Sequence, residues 1–238
     1  MQDDARDLDV ERQLDAWAAA QSGTQISPEF AAKVRQRLRP SLTPVKPVPS
    51  RRTLFLVLLA IFVAVSAVLV AVMNKTGLHM VTPVQLGVVS AILWGGGILF
   101  AINLSGQMVP GSRPVIPLWA LLSLSGVAAF GGITMLFPWR TSGSFVSEGW
   151  PCAAMELALL VPAATIFWLF ARRGALFGSA GLGATLNAVA AFLVLVPLQV
   201  QCMFQQAPHL LVWHLGTGLL MIGLGALVGN ALRGRSVS

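Results

Sequence analysis

Charge is scarce in this 238-residue chain: only 11% of the residues are Asp, Glu, Lys or Arg, and beyond residue 29 the only acids are Glu148 and Glu156. Such a sequence cannot clothe an ordinary soluble domain in charge when 55% of its residues are hydrophobic. The motifs of the commoner catalytic classes are missing as well. There is no P-loop, no HExxH, no CxxC and no Ser/His/Asp set, so the expectation is that the protein is not an enzyme. A cleavable signal peptide is not visible either, because the first apolar run begins after about 50 residues and follows an acidic segment. The first span is therefore expected to stay in the protein as an anchor.

What the chain does contain is apolar runs of about 20 residues, the length that crosses a hydrocarbon layer as a helix. Spans are expected at 53–73, 84–104, 115–137, 152–171, 178–198 and 209–232. The runs are continuous and rich in Ala, Leu and Gly, without the dyad alternation of a transmembrane barrel. The fold expected is all-α: a polytopic six-helix transmembrane bundle over residues 51–238, preceded by a short helical or disordered cytoplasmic arm over residues 1–50.

Basic residues set the orientation. Arg113, Arg172, Arg173, Arg233 and Arg235 fall on one side and only Lys75 and Arg140 on the other, while Lys33, Arg35, Arg37, Arg39, Lys46, Arg51 and Arg52 precede the first span. The positive-inside bias then puts both termini in the cytoplasm, as an even number of spans requires. The formal charge of +7 follows from this topology and does not imply direct nucleic-acid binding. Trp139, Trp150 and Trp213 are expected near the outer interface, Trp119 and Trp168 near the inner one.

The arm changes sign along its length. Residues 1–29 hold seven of the nine acids, and residues 30–52 hold seven basic side chains and no acid. In "DLDVERQLDAWAAAQ", Val10, Leu14 and Trp17 recur on one helical face. In "SPEFAAKVRQRLR", Ser27 and Pro28 mark a helix start and Phe30, Val34 and Leu38 follow at i, i+4, i+8. Helices this short cannot bury their own apolar stripes, so they need a partner or a membrane surface. The basic half suits anionic headgroups; the acidic half with Trp17 suits a groove on a soluble basic protein. "PSLTPVKPVPS" reads as a stiff extended linker to the bilayer.

Under this topology the two cysteines and three histidines, Cys152, Cys202, His79, His209 and His214, all fall on the outer side or within about two turns of it. Counted from the loop around "RRGALFG", Cys152 and Cys202 lie at matched heights, roughly 30 to 36 Å up neighbouring helices. A disulfide staple, two unpaired core thiols, and a redox-active or metal-responsive pair all remain open. Glu156 lies one turn below Cys152, at a depth where a carboxylate must be paired or protonated, and His214 is at comparable depth. Sulfur, imidazole and carboxylate from Cys152, Cys202, His209, His214 and Glu156 can converge on a thiophilic or transition metal between the last three helices. A Glu156–His214 hydrogen bond that only locks packing is the alternative. Gly225 and Gly229, with Ser179 and Gly183, offer small faces for close helix contact. Pro162 and Pro197 are expected to kink their helices, and Asn103, Asn187 and Asn230 need internal partners.

The segments "PVKPVPS" before the first span, "MVPGSR" after the second, "CAAMELALLVP" in the fourth, "ARRGALFGSAGLGA" across the next turn, and Cys202 with "VWH" near the sixth carry a resemblance. The chain resembles the NrsF-like family of six-span inner-membrane negative regulators of extracytoplasmic-function sigma factors. That resemblance implies a bacterial inner-membrane protein, an anti-sigma factor acting in signal transduction and the stress response. Its cytoplasmic arm would sequester a sigma factor, and Cys152 and Cys202 would occupy sensor positions on the outer face. The expected function is release of that partner on a periplasmic redox or metal signal. Two other readings stand beside it: a small transport or permease component with an ion-binding pocket between helices 4–6, and a purely structural membrane subunit.

Overall fold

The computed structural model of the protein describes residues 12, 15–16, 27–38, 49–109, 114–141, 143–171 and 179–235. The chain divides into two units, Met1–Pro47 and Val48–Ser238. In the first, helix α1 runs from Pro28–Leu38, opening on proline, and Val34 on it is exposed. Leu14 and Trp17 lie outside the described residues, as do the side chains of Phe30 and Leu38.

The second unit is all-helical among the described residues, with six helices long and apolar enough to cross a membrane. These are α2 (Arg51–Val72), α3 (Pro83–Gln107), α4 (Leu118–Leu136), α5 (Phe145–Ala171), α6 (Ala180–Gln201) and a sixth span over Ala207–Leu232. The sixth begins as a single α turn, Ala207–His209, passes through a π-helical segment, Leu210–Leu215, and continues as α7 (Gly216–Arg235). Local chemistry fixes several starts. Ser50 accepts from the Thr53 backbone N–H at the head of α2, and Thr82 and Gln85 form a capping box before Pro83 at the head of α3. Helix α5 starts at Phe145, earlier than the expected 152. Its first turn carries Ser147 and Glu148, a polar sequence that apolarity alone does not read as helix, but a carboxylate there faces the positive end of the helix dipole.

Helix α6 is the axis of the bundle: 89% of its apolar window is buried, against 28% or less for every other span. It packs against α2, α3, α5 and α7. Lipid is as apolar as a leucine side chain, so association of such helices depends on close fit, and small residues supply it. A Cβ added at Gly183 would overlap the Gly225 carbonyl oxygen, and one at Gly229 would overlap that of Ser179. Asn187 donates its amide to the Met221 carbonyl across the same seam, at 2.5 Å. The small faces at Ser179, Gly183, Gly225 and Gly229 thus meet one another. The asparagine expectation holds only for Asn187, because both amide atoms of buried Asn103 lack a partner and Asn230 is exposed. Pro151, Pro162 and Pro197 lie inside their helices.

Trp119, Trp139 and Trp150 are exposed, as interfacial rings are. Trp213 is half-buried near the start of the sixth span. Its indole lies against Gly149, where a Cβ would overlap it, and 5.7 Å from the Phe145 ring, so it packs the sixth span onto α5.

Candidate metal centre

Four side chains meet at one end of the bundle. Cys152 comes from α5, two turns inside the helix, and is half-buried; its thiol faces the Glu148 carbonyl at 3.7 Å. Cys202 caps the C-terminus of α6, its N–H bonded to the Leu198 carbonyl, and its carbonyl accepts from Gln205 at 2.7 Å. A backbone bond from Ala207 to the Pro138 carbonyl, 3.0 Å, fixes where the sixth span begins. His209 closes its first turn, its ring tilted against Phe204 with centroids 5.2 Å apart, and His214 follows within the π segment.

The π segment explains how those two histidines meet. In an α-helix five residues advance by about 500°, leaving the side chains about 140° apart. An i→i+5 turn closes one residue later and returns them to nearly one face. The bond from the Gly216 N–H to the Leu211 carbonyl has that i+5 span, and the His209 and His214 rings stand 5.5 Å apart.

One potential ligand atom from each of Cys152, Cys202, His209 and His214 lies within 4.8 Å of all the others. A tetrahedral zinc-type site, with bonds of about 2.3 Å to sulfur and 2.0–2.1 Å to nitrogen, has edges of about 3.3–3.8 Å. The Cys202 Sγ to His209 Nε2 separation is already 3.6 Å. This buried Cys2His2 cluster can hold a metal ion after a contraction of about 1 Å in its longest edges. Cys202, His209 and His214 are buried and come from one short stretch of chain; Cys152, the more exposed, joins from a second helix.

Glu156 is drawn to the site but is not one of the four. Fully buried, it places Oε2 2.9 Å from His214 Nδ1, and its Oε1 has no partner. A carboxylate at Nδ1 holds the proton of a neutral ring there and leaves the Nε2 lone pair free. His214 Nε2 is buried and has no hydrogen-bond partner. In the tautomer that donates from Nδ1 to the carboxylate, Nε2 carries the lone pair that a metal ligand requires.

Both cysteines are free thiols. The sequence-predicted residues Cys152, Cys202, Glu156, His209 and His214 are therefore brought together, with Glu156 behind His214. His79 stands apart, exposed on a 3₁₀ turn, Thr76–Met80. Sequence reasoning missed that turn's role. Thr76 Oγ1 donates to the Gln201 carbonyl at 3.0 Å, and the Gly77 backbone lies so close to the Cys202 carbonyl that a Cβ would overlap it. No protein-family model matches the chain, and neither a curated protein nor a solved structure matches it.

Proposed function

We propose that this protein is a membrane-embedded negative regulator of anti-sigma type, in the bacterial inner membrane with both termini cytoplasmic. It holds an extracytoplasmic-function sigma factor through its arm and releases it when a thiophilic divalent metal ion binds at Cys152, Cys202, His209 and His214. The observation that carries the sensing half is the convergence of four ligand atoms within 4.8 Å, three of the four residues being buried. Two thiolates and two imidazoles select zinc-like ions over the hard oxygen-seeking cations.

Binding would join α5, through Cys152, to the segment 202–214. Cys202 is also where the turn after α2 is braced, through Thr76 and Gly77. Helix α2 is the first span and the covalent path to the arm. A metal that favours one placement of Cys202 therefore biases α2 by differential binding, the thermodynamic requirement for a ligand-driven change. The transport reading has weaker support. The cavity of about 80 Å³ that reaches Cys202 and His214 is walled mainly by residues such as Leu86, Val89, Leu93, Ala129, Ile133 and Leu195, which offer a hydrated ion no ligands.

Orientation is tested by reporter fusions: one after residue 143 should read periplasm, and one after residue 175 cytoplasm. Exchanged results would place the metal site on the cytoplasmic side and remove the sensing role.

The arm is tested in the full-length protein reconstituted in membranes. It should capture a sigma factor, and Zn²⁺ should release it. Trp17→Ala with Phe30→Ala should weaken capture by a few kcal/mol in total, on the order of two hot-spot residues. Binding to anionic lipid alone, unaffected by the double substitution, would leave the arm as a headgroup-bound tail and overturn the anti-sigma reading.

A further inference from the structure

Glu156 is the one fully buried carboxylate described within the spans, and burial of such a group in a membrane-embedded helix marks a role that an apolar residue cannot fill. Its geometry points outward from the ligand set. One oxygen is engaged by His214 Nδ1 at 2.9 Å; the other is unpartnered, and a Cβ added at Gly218 would stand 3.8 Å from it. The opposite nitrogen of the same ring, Nε2, is unpartnered and belongs to a residue within the four-ligand cluster. A bond that served packing alone would not need to leave that nitrogen bare.

We infer that Glu156 is a positioning residue for the metal centre: it does not ligate the ion but fixes the tautomer and ring angle of His214 so that Nε2 is presented to it. This rests on the metal-binding reading above. Three features support it together. The Nδ1 bond has the ordinary length of a good hydrogen bond, 2.9 Å, and restricts rotation of the imidazole. The π segment sets the backbone of His214, but the angle of its ring depends on side-chain contacts, and the bond to Glu156 is the hydrogen bond that its ring makes. Carboxylates placed behind metal-bound histidines do this work generally, and removing them lowers metal affinity about 10–100-fold. Glutamine can still accept from Nδ1–H through its amide oxygen, whereas leucine cannot, so the two substitutions separate hydrogen bonding from bulk.

The test uses full-length protein in detergent, with wild type, Glu156→Gln and Glu156→Leu checked for equal helicity and thermal melting. Co²⁺ titration followed by Zn²⁺ competition gives affinity, and the Co²⁺ spectrum reports the ligands. The expected result is a loss of about 10-fold for glutamine and about 100-fold for leucine. The thiolate-to-cobalt bands should stay unchanged in all three. Wild-type affinity in the leucine variant would overturn the inference alone, making the bond a packing lock. A cobalt spectrum altered by Glu156→Gln would also overturn it, by making Glu156 a ligand. An absence of metal binding in the wild type would overturn the metal reading itself. A readout without metal keeps the two apart: ¹⁵N NMR of the His214 ring should show an unprotonated Nε2 in wild type and a changed tautomer balance in Glu156→Leu. An identical ring spectrum in both proteins would refute the positioning role even with no ion present.

Discussion

Cys202→Ser is expected to lower zinc affinity by on the order of 10²–10³-fold while leaving the helical bundle intact. Structural Cys/His zinc sites bind with about 10–16 kcal/mol shared among four ligands, so one ligand carries about 2.5–4 kcal/mol. Serine matches the thiol in size but is a poor ligand for a soft ion, since its hydroxyl stays protonated. The thiol of Cys202 makes only long, weak contacts, to the Phe204 carbonyl at 3.8 Å and to His209 at 3.6 Å, so the fold loses little by the change. Cys152→Ser should have a similar effect on affinity. His79→Ala should have none, because His79 is exposed and outside the cluster. The check is competition against a chelating dye with purified full-length protein. Equal affinities for Cys202→Ser and wild type would mean that the four side chains do not act as a metal centre.

The six spans were legible because each is a continuous apolar run, and in a bilayer the backbone of such a run has no alternative to a helix. Helix α5 shows where that signal ends. Its first turn, with Ser147 and Glu148, is stabilised by capping-type contacts to Ser144 and not by apolarity, so the run predicted a start at 152. The candidate site was legible in composition, since every cysteine and histidine clustered toward one face, and Glu156 stood out as a carboxylate at depth. Its assembly was harder to read. An α-helical register separates His209 from His214, and only the π segment reunites them; a spacing of five carries no recognised sequence signature for it. The bracing of Cys202 by Thr76 and Gly77 was illegible for a different reason. It is an approach of groups more than 120 residues apart in the chain, and neither residue type announces it.

Gly225→Leu is expected to destabilise the bundle more than any exposed substitution, by upward of about 3 kcal/mol, and to take metal binding with it. A Cβ at Gly225 would come within 2.6 Å of the Asn187 side chain and 2.5 Å of the Gly183 carbonyl oxygen. The second obstacle is backbone on the central helix α6 and cannot rotate aside. The two helices must separate, which also breaks the bond from Asn187 to the Met221 carbonyl. Lipid does not restore the dispersion attraction of a parted seam, because the driving force between helices is fit and not exclusion of water. Gly223→Ala is the matched control: a Cβ there meets nothing within 4 Å, and alanine should be neutral or stabilising by about 0.5–1 kcal/mol. The site suffers in the first case although no ligand is touched. Cys202 belongs to the end of α6, and His209 and His214 lead directly into α7, so a displaced seam separates three ligands at once. Thermal melting and zinc competition on the two variants read both effects. A Gly225→Leu protein that melts with wild type would show that the α6–α7 seam does not hold the bundle. One that melts early yet binds zinc at full strength would show that the ligands are held from the α5 side instead, through Trp213 on Gly149.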